Sequence, residues 1–84
     1  MTESRIIGTV TRAGTPVADA FVWCAGPSGE FVAEVRTDPA GRYELYVVAG
    51  AWTLTAFAPG TDRVAHGAQV NGPGDMTLDF DLAG

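Results

Sequence analysis

The sequence predicts an all-β domain, a seven-stranded antiparallel β-sandwich with Greek-key connections. Apolar and polar residues alternate with a period of two in successive segments, and no segment keeps the period of an amphipathic helix. Turn residues, above all glycine and proline, interrupt this alternation at intervals of about 8–12 residues, a spacing typical of sandwiches and barrels. The 84 residues are enough for one domain, and we assign residues 1–84 to it.

Each predicted strand is a short alternating run that stops at turn residues. The strands cover residues 5–12, 20–25, 31–37, 42–48, 51–58, 63–70 and 76–82. The turns between them are Ala13-Gly14-Thr15-Pro16, Gly26-Pro27-Ser28-Gly29, Asp38-Pro39-Ala40-Gly41, Ala49-Gly50, Pro59-Gly60-Thr61-Asp62 and Asn71-Gly72-Pro73-Gly74. The third turn is the strongest, because aspartate accepts from backbone amides ahead of it while proline and glycine suit the next and last positions. Segment 63–70 is the weakest strand, and segment 76–82 alternates most cleanly.

The alternation also predicts the core. The residues expected to point inward are Ile6, Val10, Val22, Tyr43, Leu45, Val47, Trp52, Leu54, Met76, Leu78, Phe80 and Leu82. Burying each large side chain of this kind stabilises the fold by roughly 1.5–3 kcal/mol, which offsets much of the entropy lost on folding.

Charge and composition argue against several classes of partner. The net charge is −5, and the five basic residues, all arginines, form no cluster. An acidic domain without a basic stripe repels phosphate backbones and anionic lipids, so we expect neither nucleic acid nor membrane as a partner. The single cysteine, Cys24, excludes a disulfide within the chain and fits a reducing cytoplasm. We expect no signal peptide, because no apolar stretch follows basic residues at the start.

Three blocks of the sequence are similar to a known family. Ile6-Ile7-Gly8-Thr9-Val10-Thr11, followed by Thr15-Pro16-Val17-Ala18-Asp19-Ala20-Phe21-Val22, resembles the opening of carboxypeptidase regulatory-like domains. The other two blocks are Thr37-Asp38-Pro39-Ala40-Gly41-Arg42-Tyr43-Glu44-Leu45 and Gly50-Ala51-Trp52-Thr53-Leu54-Thr55-Ala56. The resemblance implies a transthyretin- or immunoglobulin-like sandwich. All matching residues are fold residues, so the family pattern carries no catalytic site.

Within that superfamily the chain looks most like the short actinobacterial proteins of unknown function classed as DUF1416. The closer likeness lies in Ala18-Asp19-Ala20-Phe21-Val22, Gly29-Glu30-Phe31-Val32-Ala33-Glu34-Val35 and Ala49-Gly50-Ala51-Trp52-Thr53-Leu54. This resemblance implies a loose link to sulfur metabolism, since such proteins are often encoded beside thiosulfate sulfurtransferases.

The strongest candidate site is aromatic. If Val22 and Cys24 face the core, Phe21 and Trp23 lie together on the outer face of their strand, and Phe57 and Tyr46 are candidates to join them from other strands. Clustered surface aromatics mark partner or ligand surfaces, although rings also pack against each other across strands. We therefore expect a non-catalytic module that binds a protein partner or a second copy of itself. The alternative is a small-ligand domain of the carbohydrate-binding type.

The remaining candidates favour structural roles, and we predict no catalytic residue, cofactor or metal site. Cys24 shares its strand face with Val22, and we predict that it is an inert thiol in the core. His66, the only histidine, reads as a surface loop residue, and hydrolases of the transthyretin-related kind use more than one histidine and an arginine. The carboxylates Asp75, Asp79 and Asp81 read as a solvated strand face rather than a cation site.

Overall fold

The computed structural model describes residues 4–83 and contains two β-sheets packed face to face. The strands are β1 (Ser4–Arg12), β2 (Thr15–Pro16), β3 (Phe21–Ala25), β4 (Phe31–Arg36), β5 (Arg42–Val47), β6 (Gly50–Phe57), β7 (Val64–Val70), β8 (Gly74–Thr77) and β9 (Phe80–Leu82). In the first sheet β1 is central, with β5 on one side and β8 followed by β9 on the other. The second sheet has the order β4-β3-β6-β7. The prediction that there is no signal peptide involves residues 1–3, and these residues lie outside the described part.

The predicted sandwich is confirmed, with differences of detail. The weakest predicted segment is a strand, β7, while the last predicted strand is divided into β8 and β9, and β2 adds a two-residue strand in the first turn. The last two strands also run parallel to β1, whereas the sequence predicted antiparallel pairing throughout. Parallel pairing follows from the route of the chain, because β7 belongs to the second sheet and the chain then crosses back to the first.

The core lies between the sheets and follows the predicted alternation closely. Its buried apolar residues are Ile6, Val10, Ala20, Val22, Cys24, Tyr43, Leu45, Val47, Leu54, Ala56, Ala68, Val70, Phe80 and Leu82. Three residues expected inside, Trp52, Met76 and Leu78, are only partly buried against this core. For Trp52 the reason is visible, since its indole N–H donates to the Val48 carbonyl at the end of the sheet, 3.0 Å away.

The strongest predicted turn forms as expected. The Asp38 carboxylate accepts hydrogen bonds from the backbone N–H groups of Ala40 and Arg42, both at 2.9 Å. Gly41 has a φ of 77° and donates to the Asp38 carbonyl at 2.8 Å. A Cβ at Gly41 would lie 2.7 Å from the Val10 carbonyl oxygen, so both its backbone conformation and its surroundings require glycine.

Gly8 lets the end of the chain approach β1. A Cβ at this position would lie 1.9 Å from the Leu78 carbonyl oxygen, a distance that no side chain tolerates. The Leu78 backbone N–H donates to the Ile7 carbonyl at 2.8 Å, and the Tyr43 hydroxyl donates to the Leu78 carbonyl at 2.5 Å. Leu78 therefore links β8 and β9 directly over Gly8, and the neighbouring strand β5 holds it there through Tyr43.

Charged side chains reinforce the same contacts on the outer face of the first sheet. Arg5 on β1 contacts Glu44 on β5 at 2.9 Å and Asp75 on β8 at 2.5 Å. The hydrogen bonds from Arg5 hold the pKa of Asp75 below its usual value. Asp79 accepts from the Thr9 backbone N–H at 2.8 Å, which ties the segment before β9 to β1.

Replacing Gly8 with alanine should destabilise the protein by about 2–3 kcal/mol, since the added methyl group forces Leu78 away from β1. Urea unfolding followed by circular dichroism measures this loss. The matched control is Gly67→Ala, because a Cβ at Gly67 meets no atom within 4 Å. Equal stability of the two variants would contradict the role assigned to Gly8.

The Asp75 contact predicts a pH dependence. Because Arg5 lowers the folded-state pKa of Asp75, the contact stabilises the protein above the unfolded pKa of about 4, and this stability is lost as the pH falls through the folded value. Asp75→Asn should therefore be less stable than wild type at pH 7, and the difference should shrink as the pH is lowered below 4. Unfolding midpoints measured from pH 7 to pH 2 test this, and a difference independent of pH would refute it.

Candidate functional site

Three aromatic rings form one cluster on the outer face of the second sheet. Val22 and Cys24 are fully buried, so Phe21 and Trp23, which alternate with them along β3, point outward as predicted. Phe57 on β6 lies directly opposite Phe21 in the strand register. Its ring stacks on Phe21 with centroids 5.1 Å apart and meets Trp23 edge-on at 4.8 Å. The three rings partly cover one another. They therefore pack across neighbouring strands and also form a cluster on the surface.

Two arginines lie over these rings. The Arg36 guanidinium carbon is 4.3 Å from the centre of the Phe21 ring. The Arg63 guanidinium carbon is 4.3 Å from the centre of Phe57 and 4.8 Å from that of Trp23. Among residues 4–83, neither arginine forms an ion pair with a carboxylate. The three rings and two arginines, together with Phe31, form a surface that we call the aromatic–arginine patch.

Phe31 extends the patch in a way that the alternation did not reveal. A bulge between Cys24 and Ala25 shifts the pairing of β3 with β4, so that Phe31 lies opposite the outward-facing Ala25. Its ring then meets Trp23 edge-on at 6.1 Å, and 61% of the residue is exposed. Strict alternation would have grouped Phe31 with the inward Ala33 and Val35. A bulge breaks that rule, and nothing in the sequence marked it.

The centre of the patch contains an unsatisfied donor. The Trp23 Nε1–H is covered by protein atoms and has no hydrogen-bond partner within residues 4–83. A covered donor without an acceptor costs about 1–3 kcal/mol. Because protein atoms cover this N–H, a group from outside the chain reaches it only when a covering side chain moves aside.

Tyr46 does not belong to the patch, and its predicted membership is wrong. It lies on β5 in the first sheet, opposite Arg5, and is 58% exposed. The chain crosses between sheets after β4, so Tyr46 faces solvent on the other side of the sandwich. Side-chain alternation places Tyr46 on an outer face but does not say which sheet that face belongs to.

Cys24 and His66 have the environments of structural residues. Cys24 is fully buried between the sheets, and this burial raises the pKa of its thiol. His66 is exposed, but it lies in β7 rather than in the loop that the sequence predicted. Its ring is 5.1 Å from that of the buried Phe80. Segment 63–70 was the weakest predicted strand because Ala65, Gly67 and Gln69 lack the β-branched and aromatic residues typical of strands.

The acidic residues considered as a cation site are instead paired with β1. Asp75 contacts Arg5, Asp79 contacts Thr9, and Asp81 accepts from the Thr11 hydroxyl at 2.9 Å. In the described chain no three His, Cys, Asp or Glu side chains are grouped as metal ligands would be.

A shallow groove of about 740 Å³ crosses the outer face of the first sheet and extends to Arg36 at the end of β4. Arg5, Glu44, Arg42 and Asp79 line it with charges of both signs. Arg5 and Glu44 already neutralise each other, and neither the cysteine nor the histidine of the chain is among the lining residues. The groove offers polar contacts but no nucleophile or imidazole.

The segment between residues 4 and 83 contains no helix long and apolar enough to cross a membrane.

Comparison with known proteins identifies both a family and a fold. A sequence profile of the family described as "Protein of unknown function (DUF1416)" matches residues 1–79. No curated protein matches the chain. Among solved structures, the Bacillus anthracis TIE protein is similar over 98% of this chain, with a TM-score of 0.86 and 13% identity. The match covers only 17% of that protein.

Two enzymes share the same fold. The 5-hydroxyisourate hydrolase of Klebsiella pneumoniae has a TM-score of 0.73 and 21% identity, with 95% of this chain and 84% of that one covered. The catechol 1,2-dioxygenase of Acinetobacter sp. ADP1 has a TM-score of 0.76 and 14% identity, with 98% and 52% covered. This chain thus spans about half of the dioxygenase. At such identities these likenesses establish a transthyretin-like β-sandwich and do not transfer an activity.

Alkylation of native protein tests the environment of Cys24. Because the thiol is buried and its pKa raised, iodoacetamide should modify Cys24 at least about a hundredfold more slowly in native buffer than in 6 M guanidinium chloride. Mass spectrometry follows the added mass. Modification of the folded protein at the denatured rate would place a reactive thiol at the surface.

Proposed function

The chain belongs to the DUF1416 family, whose function is unknown, and we propose that it is a non-catalytic module that binds a protein partner through the aromatic–arginine patch. The observation that carries this proposal is the position of Arg63, which lies over both Trp23 and Phe57 without a carboxylate partner in residues 4–83. Tryptophan and arginine are the residue types most enriched at the energetic centres of protein interfaces.

The chemistry of the patch favours an acidic partner segment. Arg36 and Arg63 hold their guanidinium groups against the rings, so less side-chain entropy is lost when a carboxylate binds them. Their free N–H groups match the two oxygens of a carboxylate.

A second copy of this chain is a poor partner for the patch itself. Each copy carries Arg36 and Arg63 over the rings and Glu34 opposite Trp23, so patch-to-patch docking would bring four guanidinium groups together with two carboxylates, and the excess of like charge disfavours association. The proposal therefore concerns another protein. The family resemblance implies a loose link to sulfur metabolism, and the thiosulfate sulfurtransferases encoded beside such proteins provide a specific candidate to test.

The carbohydrate alternative is less well supported by the geometry. A sugar ring stacks on an unobstructed aromatic face. Phe21 already lies between Phe57 and Arg36, while Arg63 covers Phe57 and Trp23. Phe31 presents the most exposed ring of the patch, and a single exposed ring gives little area for a sugar.

The non-catalytic part of the proposal is supported by the placement of the reactive side chains. Cys24 is buried with a raised pKa, and His66 contacts a phenylalanine ring rather than a nucleophile or a carboxylate. Acid–base or nucleophilic catalysis needs such groups within hydrogen-bond distance of one another.

Replacing both patch arginines with serine tests the proposal. R36S/R63S should weaken binding of a sulfurtransferase, or of a partner captured from host extract, at least about tenfold, because contacts at an interface centre are worth more than 1 kcal/mol. Wild-type binding should also weaken as salt rises from 50 to 500 mM. Titrations on a surface biosensor measure both the affinity of the variant and the salt dependence of wild-type affinity. Trp23 is a less suitable target, since its ring is half-buried and truncation would lower stability as well.

The control is Arg42→Ser, which removes one positive charge from an exposed arginine on the other sheet that lies over none of the patch rings. It should bind within about twofold of wild type, because it leaves the contacts of Arg36 and Arg63 with the rings in place. A glycan array run with the same proteins distinguishes the alternative. If R36S/R63S binds the protein partner as tightly as Arg42→Ser, the proposed role of the patch is wrong.

A further inference from the structure

We propose that β7 is a strand-pairing edge and that its occupant is β7 of a second copy of this chain, giving a dimer with one continuous eight-stranded sheet. The inference is independent of the patch and concerns a different part of the second sheet. It rests on the composition of the exposed edges and on the register that β7 can adopt with itself.

The first observation is that β7 lacks the features that protect the other edges. Edge strand β5 carries Arg42 and Glu44, and edge strand β4 carries Glu34 and Arg36. The edge formed by β8 and β9 carries Asp75 and Asp81. Strand β7 has seven residues, none of them charged and none of them proline. Charges and prolines are the usual means by which edge strands avoid pairing with other chains. The exception at β7 therefore identifies an edge open to pairing.

The backbone of β7 is paired on one side only. Its residues pair with β6 from Val64 opposite Ala56 to Val70 opposite Gly50. No other backbone hydrogen bond involves the strand in the described part of the chain. Half of its N–H and C=O groups consequently point away from the sheet in a row, which is the arrangement that an added strand requires.

The sequence of β7 is compatible with itself in antiparallel pairing centred on Gly67. In that register Val64 lies opposite Val70, Ala65 opposite Gln69, and His66 opposite Ala68. The residues that face the core, among them Ala68 and Val70, keep that face in both copies, so the two cores become continuous. A register one residue away would lose this match.

The neighbourhood of the edge also suits a second copy. Gly67 and Ala65 are exposed and small, and a Cβ at Gly67 would meet nothing within 4 Å, so a second backbone approaches without obstruction. Just outside the strand, Arg63 would lie opposite Asn71 of the other copy, and no like charges face each other.

The expected association is weak. Two seven-residue strands form a small interface, and each copy carries a net charge of −5. Pairing should therefore appear at concentrations on the order of 100 µM and strengthen with salt, which screens the repulsion. This salt dependence is opposite to that of the patch and separates the two associations.

Two double variants with the same positions and different charges test the register. A65K/Q69K places a lysine opposite a lysine at both symmetric pairs, and A65K/Q69E places a lysine opposite a glutamate. Both side chains point outward on exposed positions, so neither variant should change the melting temperature by more than a few degrees. A65K/Q69K also lowers the net negative charge, and any loss of dimer then occurs despite weaker overall repulsion.

Sedimentation equilibrium from about 10 µM to 1 mM gives the result. Wild type and A65K/Q69E should approach twice the monomer mass, while A65K/Q69K should bind itself at least about tenfold more weakly. A wild type that stays monomeric to 1 mM overturns the proposal and leaves a strand of another protein as the occupant. Equal dimerisation of both double variants also overturns it. Partner binding through the patch is measured separately, so either idea can fail alone.

Discussion

The fold depends on backbone pairing along both sides of β1, and above all on the close approach of Leu78 to Gly8. Strand β1 lies between β5 and the final strands and pairs with both. The missing side chain at Gly8 allows the Leu78 carbonyl to lie against the sheet, where Tyr43 donates to it. A domain of this size has a small core, so a continuous first sheet is needed to hold the second one in place.

Much of this architecture follows from the sequence because strand alternation is a local property. It correctly placed Val22 and Cys24 inside and Phe21 and Trp23 outside. The Asp38 turn was equally predictable, since its hydrogen bonds join residues at most four positions apart. Features of this kind depend on neighbours in the chain and need no knowledge of the fold.

The parts that the sequence did not predict depend on pairing between distant segments. The parallel course of β8 and β9 follows from the crossing between sheets, and Tyr46 was assigned to the wrong side for the same reason. Arg36 comes to lie over Phe21 because β3 and β4 pair in that register, and Arg63 reaches Trp23 from the segment before β7. Inferring these contacts would require knowing the strand order and the bulge beforehand.

The position of the patch relative to β7 has a consequence for avidity. The register of β6 with β7 puts Phe57 level with Arg63, four residues from Gly67. Across a two-fold axis at Gly67, the two ring clusters would share one side of the joined sheet, about 30 Å apart. An extended stretch of about nine residues covers that span. Once the first of two acidic segments so spaced is bound, the second would be present near the other patch at an effective concentration of about millimolar. A ligand with two such segments would therefore bind the dimer more tightly than a ligand with one.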